Sequence, residues 1–152
     1  MKKTKKTKKD DLKWLSVHRA HPYGNRVLIA TPTNEKETGE IEEIFKTGDS
    51  KLNLCSVFKI NFEGWNSYLI LLNFDHIQSI TYGMIAHEAN HIVDFIMDSI
   101  GQVVDPQNNE YSAYLLEWLT NTIFQHLIDR DLMKLLSVES KILKKDEQEE
   151  GI

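Results

Sequence analysis

The chain of 152 residues contains one cysteine, three prolines and no long apolar run. One cysteine cannot form an intramolecular disulfide, so the fold cannot depend on a disulfide framework, and a reducing compartment suits it. The longest uninterrupted aliphatic run, 69–72, is far too short to cross a bilayer. No apolar region follows the N-terminal lysines as a secretory signal would require. We therefore expect a cytoplasmic protein that does not partner a membrane.

Acidic and basic residues are unevenly distributed along the chain. Residues 2–9 contain six lysines and no acid, so a formal net charge of −5 for the whole chain leaves −11 on the remainder. The lysine-rich arm has neither arginine nor an aromatic residue for stacking on bases, and nucleic acid is therefore not the expected partner. We interpret 1–10 as a disordered basic arm, 11–143 as one domain and 144–152 as a polar tail.

Hydrophobic periodicity predicts short elements in the first half of the chain. In order, the predictions are a short helix over 11–19, a strand over 26–31, mainly loop over 32–50, a strand over 52–62, a turn over 63–66 and a strand over 67–73. The last two strands would form an antiparallel hairpin. Cys55 falls within the first of them, and we interpret it as a strand residue because no second cysteine accompanies it as a ligand.

The most specific pattern is His87-Glu88-Ala89-Asn90-His91, which lies in an apolar helical stretch. Residues four apart on an α-helix lie one above the other, so His87 and His91 can share one metal ion. Glu88 sits about 100° around the helix, where its carboxylate can reach a water bound to the metal. Shuffling the chain would produce the pattern in roughly two of a hundred trials, so a metal site needs a third ligand to support it.

Glu110 is the candidate for that third ligand. It follows His91 after eighteen residues and begins a second periodic segment. A first helix ending near Gly101 and a second starting near Asn108 would form a hairpin, in which the first turn of the second helix faces the middle of the first. Hydrolytic zinc sites commonly use three protein ligands and one water, and two histidines with one glutamate are a recurring set. The spacing therefore predicts one zinc ion on His87, His91 and Glu110.

With these residues the chain resembles the gluzincin family of zinc metallopeptidases, whose HExxH motif is followed at a similar interval by a glutamate. Asn109, Ala113 and Glu117 around Glu110 also match that family's aminopeptidase branch, and the resemblance covers 80–120. The chain also looks like the small stand-alone metallopeptidases of bacteriophages, which would place it in a host cytoplasm. The resemblance implies an α+β, zincin-like fold, with a small antiparallel or mixed sheet, an active-site helix and a second helix packed against it.

Supporting roles follow from position and from the resemblance. Asp94, one turn beyond His91, either fixes a ligand imidazole by a hydrogen bond or is exposed to solvent. Tyr114, one turn beyond Glu110, is a candidate to contact a ligand or a substrate oxygen, and Asn109 is a candidate by its place in the family motif. The resemblance also requires a donor to the transition-state oxyanion, for which Tyr114 and His126 are the candidates.

The resemblance further implies that the strand before the active-site helix lies at the cleft edge. Residues 67–73, or their partner strand, would then bind an extended peptide by strand addition. The alternative is an ordinary edge strand.

The predicted function is zinc-dependent hydrolysis of a peptide or protein substrate, with Glu88 as general base. One alternative is a catalytically silent zincin-like binding protein with a structural zinc, which would lose stability without metal yet cut no peptide. Another is a nucleic-acid-binding module, whose binding would depend steeply on salt and disappear when residues 1–10 are deleted.

Overall fold

The protein, seen in a computed structural model, is described over residues 12–22, 24–46, 53–107 and 109–143. This part of the chain has the predicted α+β class. Its strands are β1 (Leu15–Ala20), β2 (Asn25–Ala30), β3 (Cys55–Phe62) and β4 (Trp65–Leu72), and its helices are α1 (Glu35–Phe45), α2 (Tyr82–Ser99), α3 (Glu110–Asp129) and a short 3-10 helix at Met133–Leu135. The predicted basic arm, 1–10, and polar tail, 144–152, lie outside the described residues.

The strands form one mixed sheet in the order β1-β2-β4-β3. β1 is antiparallel to β2, β2 is parallel to β4, and β3 is antiparallel to β4. The predicted β3–β4 hairpin is confirmed, and its turn residues Glu63 and Gly64 have φ of 51° and 82°, as two-residue hairpin turns require. β3 is an edge strand, whereas β4 is internal. Of the two strands predicted as the cleft edge, it is therefore the partner strand, β3, that is at an edge.

Both faces of the sheet are covered by helices. Val27, Ile29, Ile70 and Leu72 pack on the side of α2 and α3, and the alternate residues of the same strands pack on the side of α1. An internal strand covered on both faces has no solvent side, so its sequence is continuously apolar. This burial accounts for the aliphatic run 69–72 in β4.

The helix predicted over 11–19 is wrong, because residues 15–20 form β1. Leu15 and Val17 pack against the α1 side of the core, while His18 bonds to Ser16 at 2.9 Å on the other side of the strand. That alternation has the period of a strand. The short segment satisfies its backbone groups by pairing with β2, a partner that local spacing does not reveal.

The loop predicted over 32–50 is wrong for residues 35–45, which form α1. The Asn34 side chain accepts a hydrogen bond from the Glu37 backbone N–H at 3.0 Å, and this cap satisfies a donor at the helix start. Glu35 and Glu37 lie in the first turn, where negative charge is favoured by the helix dipole. Ile41 is fully buried against the sheet, so this burial and the cap together favour the helix.

The predicted helical hairpin is confirmed. α2 begins after Thr81, whose hydroxyl accepts from the Met84 backbone N–H at 3.1 Å, and ends just before Gly101, which has φ of 70°. α3 follows after a short connection and packs against α2. Neither these helices nor the others in the described ranges are long and apolar enough to span a bilayer.

The segment that follows α3 is hydrogen-bonded to the residues that precede α2. Residues 137–143 run beside 77–82 and exchange backbone hydrogen bonds with them, including Ser137 N–H to the Ile80 carbonyl at 3.0 Å and Ser79 N–H to the Lys141 carbonyl at 2.8 Å. These backbone hydrogen bonds anchor the start of α2, and they help to fix the positions of His87 and His91 relative to the core.

Candidate functional site

His87 and His91 face each other on the exposed side of α2. Their Nε2 atoms are 3.0 Å apart, and their rings are nearly perpendicular, with centroids 4.7 Å apart. Two imidazole nitrogens on one tetrahedral zinc, each at 2.0–2.1 Å, lie about 3.3 Å apart. The observed distance also suits a hydrogen bond between the rings. The two nitrogens are therefore close enough to share one ligand, and they are equally close enough to bond to each other.

Glu88 lies on the neighbouring flank of α2 and is half-buried. It is close enough to Cys55, the first residue of β3, for its negative charge to raise the pKa of that thiol. The carboxylate is therefore on the side of α2 that faces the edge strand.

Cys55 is a strand residue, as predicted, and its surroundings suppress thiol chemistry. Burial, and secondarily the charge of Glu88, raises the pKa of Cys55 to about 12. Because the thiolate is the nucleophile and the metal ligand, a thiol that stays protonated at neutral pH is poorly suited to either role.

We expect Cys55 to react with iodoacetamide at pH 8 at least about tenfold more slowly than free cysteine, whose pKa is about 8.5. Glu88→Gln should accelerate the reaction because it removes a negative charge beside the thiol, while burial keeps the rate below that of free cysteine. The measurement is the alkylation rate followed by mass spectrometry. A wild-type rate equal to that of free cysteine would show that the thiol is neither buried nor near a carboxylate.

Glu110 is the first residue of α3 and is exposed. Its Oε1 accepts a hydrogen bond from the Tyr114 hydroxyl at 3.2 Å. Over the described ranges, no group of three or more His, Cys, Asp or Glu side chains is placed to hold a metal ion. The two histidines are close enough to share one ion, but Glu110 is not in position to complete the predicted set of three. The structure brings the helices together without bringing this side chain to the imidazoles.

Asp94 and Asn109 each make a hydrogen bond to a residue three or four positions away in the chain. Asp94 is exposed, and its Oδ2 accepts from Asn90 Nδ2 at 3.5 Å. Within the described residues no hydrogen bond joins it to an imidazole, so of its two predicted roles the exposed one is seen. Asn109 precedes α3, and its carbonyl accepts from the Ser112 hydroxyl at 2.8 Å, while its side chain makes no capping bond.

His126, one of the two candidates for the oxyanion donor, lies in the interior. It is sixteen residues beyond Glu110 on the same helix, about 24 Å away. Its Nε2 is 2.7 Å from the Thr31 hydroxyl. Arg130 donates to the carbonyl and hydroxyl of Thr31 and also bonds to Glu37 at 3.4 Å. This network ties α3 to β2 and α1, and it removes His126 from the candidate site.

Sequence reasoning did not find this network, because Thr31 and His126 are 95 residues apart in the chain. One feature of the sequence did indicate a buried partner for His126. His126 follows Ile123 on the buried stripe of α3 and precedes Leu127. A polar residue on an apolar stripe must find a buried partner, and it therefore indicates a hydrogen bond to another element.

Burial, followed by the charges of Arg130 and His18, lowers the pKa of His126 to about 4. Between about pH 6.5 and pH 4 the unfolded chain binds a proton that the folded protein does not, so the free energy of unfolding should fall as the pH falls through this window. The expected loss from His126 alone is up to roughly 3 kcal/mol. The measurement is urea unfolding at pH 7.5 and 4.5, with His126→Gln as the control that lacks this proton. Identical pH dependence in both proteins would contradict the assignment.

Comparison of the chain with protein-family models, with curated proteins and with solved structures gives no match. The resemblance to gluzincins therefore rests on the motif residues alone.

Proposed function

We propose that the protein is a zincin-like metallopeptidase that hydrolyses peptide bonds with one zinc ion on His87, His91 and Glu110. The observation that carries the proposal is the proximity of two imidazole nitrogens, 3.0 Å apart, on the exposed side of α2. Glu88 supports it from the adjoining flank, where a general base is required. We propose a peptide or protein as substrate and the cytoplasm as the place of action.

Completion of the site requires Glu110 to leave the Tyr114 hydroxyl and turn toward the histidines. Its side chain is exposed, and the bond it would give up, which is made to a charged group, is worth at most about 1.5–3 kcal/mol. Zinc binding to structural sites is worth about 10–16 kcal/mol, so the metal can easily offset that loss. α3 already packs against α2, so the metal does not have to bring the two helices together.

Each protein group then has a defined task. Zinc, when bound, would lower the pKa of a coordinated water to about 7 and polarise the scissile carbonyl. Glu88 accepts the proton of the attacking water and delivers it to the departing amine. The Tyr114 hydroxyl, once free of Glu110, is a donor within the same helical turn and is the remaining candidate for stabilising the oxyanion.

The edge strand β3 supports a peptide as the substrate. It lies beside α2, and its outer backbone groups have no neighbouring strand in the described sheet. An extended peptide can pair with such an edge through main-chain hydrogen bonds. This arrangement would hold a scissile bond next to Glu88.

The test is digestion of a peptide library by the zinc-loaded full chain, read by mass spectrometry. We expect defined cleavage products that disappear with a chelator and return when zinc is restored. A zinc-replete protein that cleaves no peptide in the library would refute the proposal.

One observation favours a second candidate, the catalytically silent protein with a structural zinc. Glu110 bonds to Tyr114 rather than facing the histidines. This candidate predicts that a chelator lowers the melting temperature while no peptide is cleaved under any metal condition, so the same digestion separates the two functions.

A further inference from the structure

A cavity of about 430 Å³ lies between the end of α2 and the β3–β4 hairpin. Its walls include Lys59 and Asn61 of β3, Asn66 of β4, and Asp98 and Ser99 of α2. This volume is in the range of small-molecule binding sites. The residues around the histidine motif do not line it.

The cavity forms because the sheet face toward α2 changes from apolar to polar. On β3, Cys55 and Val57 pack into the core beside α2, and alternation places Lys59 and Asn61 on the same face. Asn61 is paired with Asn66 on β4, so two amides stand next to each other. Polar side chains do not pack tightly against a helix as the core residues do, so the space between this part of the sheet and α2 stays open.

The contact between α2 and β3 extends from Glu88 to the cavity. At one end Glu88 is close to Cys55, and at the other the Lys59 ammonium lies 4.4 Å from the centre of the Phe95 ring. From Glu88 to Asp98 is ten helical residues, or about 15 Å. An extended peptide rises about 3.3 Å per residue. Its side chain four or five residues from the scissile bond would therefore reach the cavity.

The charges in the cavity decide which group it suits. Lys59 supplies a cation on one wall, and Asp98 supplies an anion on the other. An ammonium group attracted to Asp98 would be repelled by Lys59, and a carboxylate would meet the opposite problem. A carboxamide is uncharged, accepts through its oxygen and donates through its nitrogen, so it can satisfy both walls.

The hydrogen-bonding groups in and beside the cavity also favour a carboxamide. In the described part of the chain, the side chains of Asp98 and Asn66 have no hydrogen-bond or ion-pair partner, whereas Asn61 uses its oxygen on the Gly64 N–H at 3.1 Å and keeps its donors. Asn25, whose Nδ2 bonds to the cavity residue Ser99 at 3.1 Å, has a buried Oδ1 that no described group satisfies. The cavity therefore offers both donors and acceptors.

We propose that this cavity is a subsite for a glutamine or asparagine side chain of a bound extended peptide. Its distance from the scissile bond rests on the proposed function, but the binding of the carboxamide does not. Preference for glutamine and asparagine follows because a carboxamide can hydrogen-bond to both walls, whereas an apolar side chain makes no such bond and a charged one is repelled by Lys59 or by Asp98.

The test is NMR titration of the ¹⁵N-labelled full chain with acetyl-Ala-Ala-Gln-Ala-Ala-amide and with analogues carrying Glu, Lys or Leu in the central position. We expect the side-chain amide signals of Asn61 and Asn66 to shift with the glutamine peptide. The three analogues should bind at least about fivefold more weakly. Asn66→Ala should weaken glutamine binding to the level of the leucine analogue, whereas Asn90→Ala, on the exposed side of α2, should not. Unshifted amide signals, or equal affinity for all four peptides, would overturn the subsite.

Cleavage separates the two proposals. The zinc-loaded protein should cleave library peptides faster when glutamine or asparagine stands four or five residues from the bond, and Asn66→Ala should lose this preference. Selective amide shifts without any cleavage would refute the hydrolase and leave the binding site. Cleavage with no such preference and no selective shifts would refute the subsite and leave the hydrolase.

Discussion

Glu88→Gln is expected to lower kcat/KM for peptide hydrolysis by about 10²–10⁴-fold while the protein keeps its zinc. Glutamine has the same shape as glutamate, so the half-buried position beside β3 can accommodate it. The amide cannot accept the proton of the attacking water, however. The expected effect is therefore on the chemical step and leaves metal binding and folding intact.

Activity and metal content must be measured on the same preparation to assign this role. The matched control is Glu117→Gln, which removes an exposed carboxylate of α3 and should change neither quantity. A Glu88→Gln protein that cleaves as fast as wild type would exclude Glu88 as the base. Loss of zinc together with activity would instead make the carboxylate a ligand and overturn its assigned role.

His91→Ala is expected to lower the affinity for zinc by at least about a hundredfold and to abolish hydrolysis with it. Changes in groups that merely support a ligand already cost about 10–100-fold, so loss of the ligand itself should cost no less. His91 is exposed on α2, and its removal should leave the fold intact.

The measurement for His91→Ala is zinc content after dialysis against a fixed free zinc concentration, with circular dichroism to monitor folding. Asn90→Ala is the control, because Asn90 is the exposed neighbour on the same helix. Retention of stoichiometric zinc by a folded His91→Ala protein would place the metal elsewhere.

Sequence periodicity predicted the elements whose pattern is long or strongly alternating. The β3–β4 hairpin and the pair α2 and α3 belong to this class, since each is determined by local spacing and its turns. β1 and α1 do not. The six-residue β1 becomes a strand through pairing with β2, and α1 depends on the Asn34 cap and the burial of Ile41. The parallel pairing of β2 with β4 is equally a long-range property.

The same distinction applies to the candidate site. The positions of His87, Glu88 and His91 are properties of one helix, and the spacing of their side chains could be predicted from sequence. The direction of the Glu110 side chain depends on a choice between Tyr114 and the neighbouring helix, which no periodicity encodes. The partner of His126 could not be predicted for the same reason, because Thr31, which follows β2, is 95 residues away in the chain.

The most direct test is a crystal structure of the zinc-loaded protein, with the metal located by anomalous scattering. We predict one zinc ion at about 2.0–2.2 Å from Nε2 of His87, Nε2 of His91 and a carboxylate oxygen of Glu110, with the bond between Glu110 and Tyr114 broken. A zinc ion bound away from both imidazoles, or held by them while Glu110 remains on Tyr114, would contradict the proposed centre.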